Sequence, residues 1–450
     1  MKINHILKAI FHKIELSVGF KKYFLNTGWL LFNNVFEMII ALFVGIYVAR
    51  YLGPNNYGLF SYAGSFVGLF AGITTLGLDN IVVRELVKDE KKRDELLGTT
   101  FVLKIISSIL VLIIIVIAVR FTNNDSFTNL LIFVIAIGTI FQSFNVIKFY
   151  FQAKVLSKYT VYAQVFSAIL CAAIKLLLIY FNMGLIYFAI VTLLQSIILA
   201  SGFIVMYTKQ KSSLLNWSIN FGLAKNLLKD SWPLMLSGVA ISIYLKIDQV
   251  MIKNMLDTKA VGNYAVAVRL SEAWYFIPMA ITSSVFPAII NAKKISEKLY
   301  YERLQKLYDL MVIFAISIII PITFLSEFII HLLFGPLYNQ AASILSIHIW
   351  ALIFVCLGTA RSNWILPENL QRYSLIYLLI GAITNILLNL LLIPRFGTNG
   401  AAYATLFSQI LSSYFGAFWF KKTRIAFFMQ TKSILTLGTY SIIQRKKKVI

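Results

Sequence analysis

Apolar stretches of about 20 residues recur along this chain, and they decide what it can fold into. Each is long enough to cross a hydrocarbon core of about 30 Å as an α-helix. With 59% hydrophobic and 13% charged residues and a mean hydropathy of +0.80, the 450-residue chain is too apolar for a soluble domain. The sequence therefore predicts an all-α, polytopic membrane protein.

Charged residues, Gly, Pro and Asn divide these stretches into about twelve predicted transmembrane helices. In chain order they lie near residues 24–51, 56–79, 98–119, 128–150, 160–181, 184–208, 231–255, 262–290, 308–332, 340–364, 372–393 and 398–420. We expect four parts: an N-terminal segment 1–23, six-helix bundles over 24–220 and 221–420, and a basic tail over 421–450. An even number of helices places both termini on one side of the membrane.

The basic residues predict which side that is. Of the 41 Lys and Arg residues, 32 lie at or beside the N-terminal segment, the loops after even-numbered helices, and the tail; the opposite loops have 5. Cytoplasmic loops are enriched in Lys and Arg. We therefore expect a multi-pass protein of the cytoplasmic (inner) membrane with both termini in the cytoplasm. Within the tail, the apolar stretch 433–443 is too short to span and is predicted to lie on the inner leaflet.

The same distribution excludes several functions. The net charge of +23 is spread between apolar segments, so we expect no nucleic-acid partner. Cys171 and Cys356 both lie in apolar stretches, which leaves no disulfide framework, and we expect no metal or cofactor. His331 and His348 lie 17 residues apart without an acid/base constellation around them, so a helix-capping or packing role is expected for each and no catalytic residue is assigned. The sequence contains no GxxxxGK[ST] loop, which disfavours an ATP-driven pump.

Two landmarks repeat in the same order and predict an internal duplication. Leu52, Gly58 and Phe60 have counterparts 204 residues later in Leu256, Gly262 and Tyr264. The segments "LLLIYFNMGLIY" and "LLLIPRFGTNGAAY" also match, with two extra residues in the second turn. Because each half has six helices, the halves enter the membrane in the same orientation, and a central cavity between them is expected.

Placing an ionisable side chain inside a membrane-spanning helix costs free energy, so such residues usually face a bundle interior or an aqueous cavity. The Lys and Arg residues within the predicted helices indicate a path that attracts an anionic substrate. The Asp and Glu residues are expected to balance this charge or to bind and release a coupling cation, H⁺ or Na⁺. The candidates for the substrate path are Lys104, Lys175, Lys246 and Arg269, and those for coupling or charge balance are Glu37, Asp248 and Glu272.

Structural roles compete with these assignments. Arg269 and Glu272 have the i, i+3 spacing of a mutually neutralising pair. Lys104 lies near a helix end, and Lys175 is long enough to reach towards the interface. Polar side chains at Asn385 and Asn389 are predicted to bond neighbouring helices. A stripe of small residues on the second helix is predicted to serve helix packing: Ser61, Ser65, Gly68, Gly72 and Thr75.

Seven segments in this order resemble the polysaccharide biosynthesis protein family, which includes O-antigen-type flippases. They are "ARYLGPNNYGLFSYAGSF", "GLDNIVVRE", "IDQVMI", "VGNYAVAVRLSEAW", "VFPAI", "LFGPLY" and "PRFGTNGAAYAT". The family belongs to the multidrug/oligosaccharidyl-lipid/polysaccharide exporter superfamily, and the resemblance runs from about Gly28 to Phe420. Asp248, Gly262, Tyr264 and Arg269 match family motif positions.

The resemblance implies two six-helix bundles around a central cavity that is often cationic. It implies alternating access, and as partners a lipid-linked oligosaccharide carried on undecaprenyl pyrophosphate and the membrane lipids. We therefore expect a transporter and not an enzyme. Three alternatives stay open: a drug or organic-cation antiporter of the same superfamily, a membrane polysaccharide polymerase, and a flippase for peptidoglycan-precursor or teichoic-type lipids, which are anionic too. Short outward loops disfavour a polymerase, and cations within the spans disfavour an organic-cation antiporter.

Overall fold

The structure is a computed structural model that describes the backbone of residues 18–449 and the side chains of residues 25–444. Of the predicted N-terminal segment 1–23, only the helical backbone from Val18 falls within the described residues. None of the described residues lies in a β-strand. The all-α class predicted from the apolar stretches is therefore confirmed.

The α-helices are, in chain order, α1 (Val18–Gly68), α2 (Ala71–Thr75), α3 (Asp79–Lys88), α4 (Arg93–Val119), α5 (Ser126–Phe141), α6 (Val146–Ala153), α7 (Lys158–Tyr180), α8 (Leu185–Lys209), α9 (Phe221–Met255), α10 (Thr258–Glu272), α11 (Phe276–Ile295), α12 (Glu297–Phe334), α13 (Asn339–His348), α14 (Ala351–Ile365), α15 (Gln371–Phe396), α16 (Thr398–Gln409), α17 (Gly416–Trp419), α18 (Arg424–Leu435) and α19 (Tyr440–Val449). A π-helical turn, Ile410–Phe415, joins α16 to α17.

Polar residues between the apolar runs start several of these helices. The Asp125 carboxylate accepts a hydrogen bond from the backbone of Thr128, and Asp257 accepts one from Ala260 at 2.7 Å. Ser296 separates α11 from α12, and its hydroxyl accepts from the backbone of Leu299. A side chain that satisfies a free N–H of the first turn fixes where a helix begins.

The predicted count of about twelve spans is not confirmed. In the described residues, nine helical stretches are long and apolar enough to cross a membrane, or ten when the pair 336–348 and 351–365, bent by 44°, counts as one. The first two predicted spans share α1, which is broken at Gly53 (φ 68°) before Pro54. The last predicted span is divided by the π-helical turn. The first break lies at a Gly-Pro pair, which interrupts helical geometry, and the second is a π-helical bulge in the backbone.

One cluster of buried apolar residues is shared by the predicted halves. Its members flank the loops that have few basic residues, as Leu52, Phe188, Ile252, Tyr338 and Ile393 illustrate. We call this the sealed end of the molecule, because buried side chains from both halves pack there in one cluster.

The buried apolar residues of the opposite end, which carries the basic loops and is called the basic end, form two separate clusters. One contains Leu97, Phe151 and Phe203 from the N-terminal half. The other contains Tyr308 and Trp364 from the C-terminal half. The halves are therefore joined at one end and packed as separate cores at the other.

The predicted boundary near residue 220 stays a prediction, and α9 contacts both sides of it. Leu227 at the start of α9 belongs to the N-terminal cluster. A Cβ on Gly72 would lie 2.2 Å from the backbone nitrogen of Val239, so α2 and α9 touch through their backbones. Ser65 also bonds to Gln249 of α9. Gly72 and Ser65 of the stripe of small residues thus contact α9, which agrees with the predicted packing role, whereas Ser61 lines a cavity.

A reciprocal contact joins α1 to α10 at the sealed end. A Cβ on Gly58 would lie 1.8 Å from the carbonyl oxygen of Thr258, and one on Gly262 would lie 1.9 Å from that of Pro54. Gly58 and Gly262 are 204 residues apart, as are Pro54 and Thr258, which is the offset found between the repeated landmarks. Such exchange of equivalent contacts is what an approximate twofold relation between the halves produces.

Candidate functional site

Two adjoining cavities lie beside the sealed end. The first, of about 470 Å³, lies among α1, α7 and α8, and we call it the N-terminal compartment. The second, of about 360 Å³, lies among α1, α9 and α10, and we call it the central compartment. Tyr57, Phe60 and Arg269 line both, so the compartments meet at these three side chains.

Arg269 reaches from α10 to the first helix of the opposite half. Its guanidinium donates hydrogen bonds to the Tyr57 hydroxyl at 2.9 Å and to the carbonyl oxygen of Ala41 at 2.5 Å. Gly45 makes room for it, since a Cβ there would lie 2.4 Å from Arg269 Cζ. Among the ion pairs of the described residues, none joins Arg269 to Glu272, so the alternative of mutual neutralisation is not what the structure contains.

Lys246 and Glu272 line the central compartment with Gln249. The aliphatic part of Lys246 packs against Gly68, where a Cβ would lie 3.3 Å from Lys246 Cγ. Gln249 Oε1 accepts a hydrogen bond from Ser65 at 2.8 Å. Lys246 and Gln249 thus share a face of α9, as their spacing predicts.

Glu37 and Lys175 line the N-terminal compartment together with Gln164 and Cys171. Gln164, Cys171 and Lys175 therefore lie on the face of α7 that turns towards this cavity. Counting both compartments, three cations (Lys175, Lys246 and Arg269) and two carboxyl groups (Glu37 and Glu272) are brought together.

Lys104 is placed elsewhere. Its ammonium group is buried, 3.0 Å from Asp79 Oδ1 and 4.6 Å from the centre of the Phe149 ring. It lines neither compartment. This is the structural role that its position near a helix end allowed, and the spacing of the sequence alone did not reveal Asp79 as its partner.

Asp248 lines neither compartment and is buried among neutral donors. Its carboxylate accepts hydrogen bonds from Tyr264 at 2.6 Å, Asn389 at 2.6 Å and Thr405 at 2.7 Å. None of the described ion pairs includes it. The amide oxygen of Asn389 and the amide nitrogen of Asn385 are buried without a hydrogen-bond partner. The unmatched Asn389 oxygen is a free acceptor and the unmatched Asn385 nitrogen is a free donor, so hydrogen bonding around this buried carboxylate is incomplete.

Asn389 bonds across helices as predicted, because it joins α15 to Asp248 of α9, whereas Asn385 accepts a hydrogen bond from Asn389 of the same helix. Arg361 was not among the residues predicted from the sequence. It is buried in α14 over the Tyr377 ring, and its guanidinium donates hydrogen bonds to the carbonyl oxygens of Ser412 and Ser413. It lines a third cavity, of about 520 Å³. The signal was available, since Arg361 lies in an apolar stretch just as Lys246 does.

The protein has apolar spanning helices around cavities that are lined by charged residues, and the cavities are closed at the sealed end. These features define a polytopic membrane protein with a transporter fold. The structural match to a multidrug resistance MATE family transporter of the MOP superfamily, in an inward-facing conformation, has a TM-score of 0.69 at 16% identity, covering 88% of this chain and 96% of that one. The lipid II flippase MurJ, in an inward closed conformation, matches with a TM-score of 0.67 at 17% identity, covering 92% and 94%.

The chain belongs to the polysaccharide biosynthesis protein family, whose sequence profile matches residues 24–293. Among curated relatives, the probable flippase AglR of Haloferax volcanii is 26% identical over 409 residues, covering 84% of this chain and 79% of that protein. The resemblance inferred from the seven sequence segments is thereby confirmed.

Proposed function

We propose that this protein is a flippase that moves lipid-linked oligosaccharide units, carried on a lipid such as undecaprenyl pyrophosphate, across the cytoplasmic membrane for surface polysaccharide synthesis. The observation that carries the proposal is the pair of compartments joined at Arg269 and closed at the sealed end. A cavity with more cations than carboxyl groups favours an anionic headgroup. The acyl chain stays in the lipid while the head follows the lined path.

We infer alternating access, with the described state open towards the cytoplasm. By the positive-inside rule, the basic end and both termini face the cytoplasm. The shared apolar cluster then closes the outer side, and the separate clusters leave the inner side free to part. Moving the substrate requires the sealed end to open and the basic end to close.

Asp248 is proposed as the site that couples transport to a cation, H⁺ or Na⁺. Keeping a carboxylate ionised while it is buried among three neutral donors costs free energy. Binding of a proton or a cation removes this cost. We expect Asp248→Asn to insert normally and to transport without dependence on the cation gradient. Full transport that still responds to the gradient in Asp248→Asn would contradict this role.

Reconstitution into vesicles with a labelled lipid-linked oligosaccharide tests the function. Label that is protected inside becomes accessible outside if the protein is a flippase, whereas lengthening of the glycan indicates a polymerase. Exchange of organic cations, without movement of the lipid, indicates the antiporter alternative. These three outcomes separate the three classes of protein.

Variants of the cavity cations test the path itself. Lys246→Ala and Arg269→Ala are expected to stop glycan export while the protein stays inserted. The matched control is Lys88→Ala, because the Lys88 side chain is 76% exposed and lines neither compartment. Normal export by a variant that lacks both cavity cations would refute the cationic path.

A further inference from the structure

The end of the chain folds back on the protein at the basic end. Helices α18 and α19 pack against the start of α12, where the Asp309 carboxylate is buried. One Asp309 oxygen accepts from the Ser433 hydroxyl at 2.5 Å, and the other accepts from the Ser441 backbone N–H at 2.8 Å. Gln305 also donates to the Ser433 hydroxyl. Asp309 thus fastens both tail helices to one spanning helix.

The turn between the tail helices is built for this close approach. Gly438 has φ 81°, and a Cβ there would lie 2.5 Å from the carbonyl oxygen of Asp309. Instead of lying on the leaflet alone, as the sequence suggested, the stretch 433–443 is thus a packed part of the protein. A surface shared by α12 and the tail therefore has a fixed geometry.

A cavity of about 410 Å³ lies on this shared surface, and we call it the tail pocket. Its described lining residues include three lysines and one glutamate, Glu302. Lys298 and Lys306 come from α12, and Lys432 comes from α18, so the ammonium groups are supplied by both partners. Hydroxyl and amide groups complete the polar part of the lining: Tyr301 and Gln305 of α12, and Tyr440, Ser441 and Gln444 of the tail.

The surroundings of the tail pocket indicate a membrane surface. Ile425 forms part of its wall and is 40% exposed, and Phe428, Leu437 and Ile442 nearby in the tail are 53%, 65% and 55% exposed. Exposed apolar side chains beside lysines are typical of segments that lie at the headgroup level. In the sequence, the tail from residue 421 onwards has eight basic residues and no acidic one.

We propose that the tail pocket binds the phosphate group of a lipid headgroup in the leaflet at the basic end. Ammonium and hydroxyl groups are the donors that a phosphate accepts from, and the apolar rim accommodates the start of the acyl chains. The phosphate comes either from a bilayer phospholipid or from a polyprenyl pyrophosphate. The pocket is separate from the two compartments, so the proposal does not depend on the transport function.

Binding to the full-length protein tests the proposal. The probes are phosphatidylglycerol in phosphatidylcholine nanodiscs, undecaprenyl pyrophosphate, and inorganic pyrophosphate, with bound lipid counted by native mass spectrometry. The test variant replaces Lys298, Lys306 and Lys432 with Ala. The control replaces the exposed Lys421 and Lys422, which are outside the pocket lining, and Lys294 with Ala.

We expect the test variant to lose at least about 100-fold in affinity for a phosphate-bearing lipid, since each charge-assisted hydrogen bond from a pocket lysine to the phosphate contributes about tenfold or more. The control is expected to lose far less. Loss confined to phosphatidylglycerol identifies a bilayer phospholipid as the ligand, and loss confined to undecaprenyl pyrophosphate identifies the polyprenyl lipid. Equal losses in test and control variants would overturn the proposal, as would binding of inorganic pyrophosphate alone.

Discussion

Adding one methyl group to Gly58 is expected to open the sealed end. A Cβ at this position would lie 1.8 Å from the carbonyl oxygen of Thr258, whereas an ordinary contact needs about 3.4 Å. The obstructing atom belongs to the backbone of α10, so a side-chain rotation cannot relieve the clash. The Gly58→Ala variant therefore has to separate α1 from α10 by about 1.5 Å.

Overpacking of this kind costs about 1–3 kcal/mol. If the contact is lost when the sealed end opens, the cost falls only on the sealed state. The ratio of open to sealed molecules then rises roughly 5- to 150-fold. Gly262→Ala is expected to act alike, because its Cβ would lie 1.9 Å from the Pro54 carbonyl oxygen.

The assay is labelling of a cysteine at Ser61, which lines the central compartment, by a membrane-impermeant maleimide added on the sealed side. We expect Ser61→Cys to react slowly alone and much faster when combined with Gly58→Ala. Gly64→Ala is the matched control, because a Cβ on Gly64 would meet no atom within 4 Å. Equal labelling rates for the Gly58 and Gly64 variants would refute the reasoning.

Three further predictions follow from single contacts. Arg269→Lys keeps the charge but loses the paired bonds to Tyr57 and Ala41, so vesicle transport is expected to fall at least about tenfold. Lys104→Met is expected to leave transport per inserted molecule unchanged, and a loss as large as that of Arg269→Ala would contradict its placement outside the compartments. Asp125→Ala is expected to lower the free energy of unfolding by about 1 kcal/mol at neutral pH. Hydrogen bonds from Thr128 hold the pKa of Asp125 below its usual value, so its stabilisation is present above the unfolded pKa and disappears as pH falls through the folded pKa. Thermal unfolding of both proteins in detergent at neutral and acid pH checks this, and an acid-insensitive difference would contradict it.

Much of this architecture could be predicted, because it depends on local patterns. The length of the apolar stretches predicts spanning helices, and the Gly-Pro pair in "YLGPNNYGLF" predicts the break at Gly53. Helical spacing predicts that Lys246 and Gln249 share a face. The repeated landmarks also single out Gly58 and Gly262, the two positions at which the backbones of α1 and α10 approach closely.

Partners from distant parts of the chain could not be predicted. Spacing shows which face of a helix a side chain occupies, but not which helix lies opposite. Arg269 therefore looked like a partner of Glu272, although it bonds to Tyr57, 212 residues away. The docking of the tail on Asp309 was missed for the same reason, since the short apolar stretch 433–443 reveals only that it cannot span.

The reciprocal glycine crossing belongs to a type of interface usually found between two subunits. A pair of separate subunits dissociates on dilution, because each must find its partner again. Here both partners belong to one chain, so their effective concentration is set by the connecting helices and not by the amount of protein in the membrane. The opening and resealing that we propose for this end would therefore be a unimolecular equilibrium, and its position would be the same in a cell that makes few copies as in one that makes many.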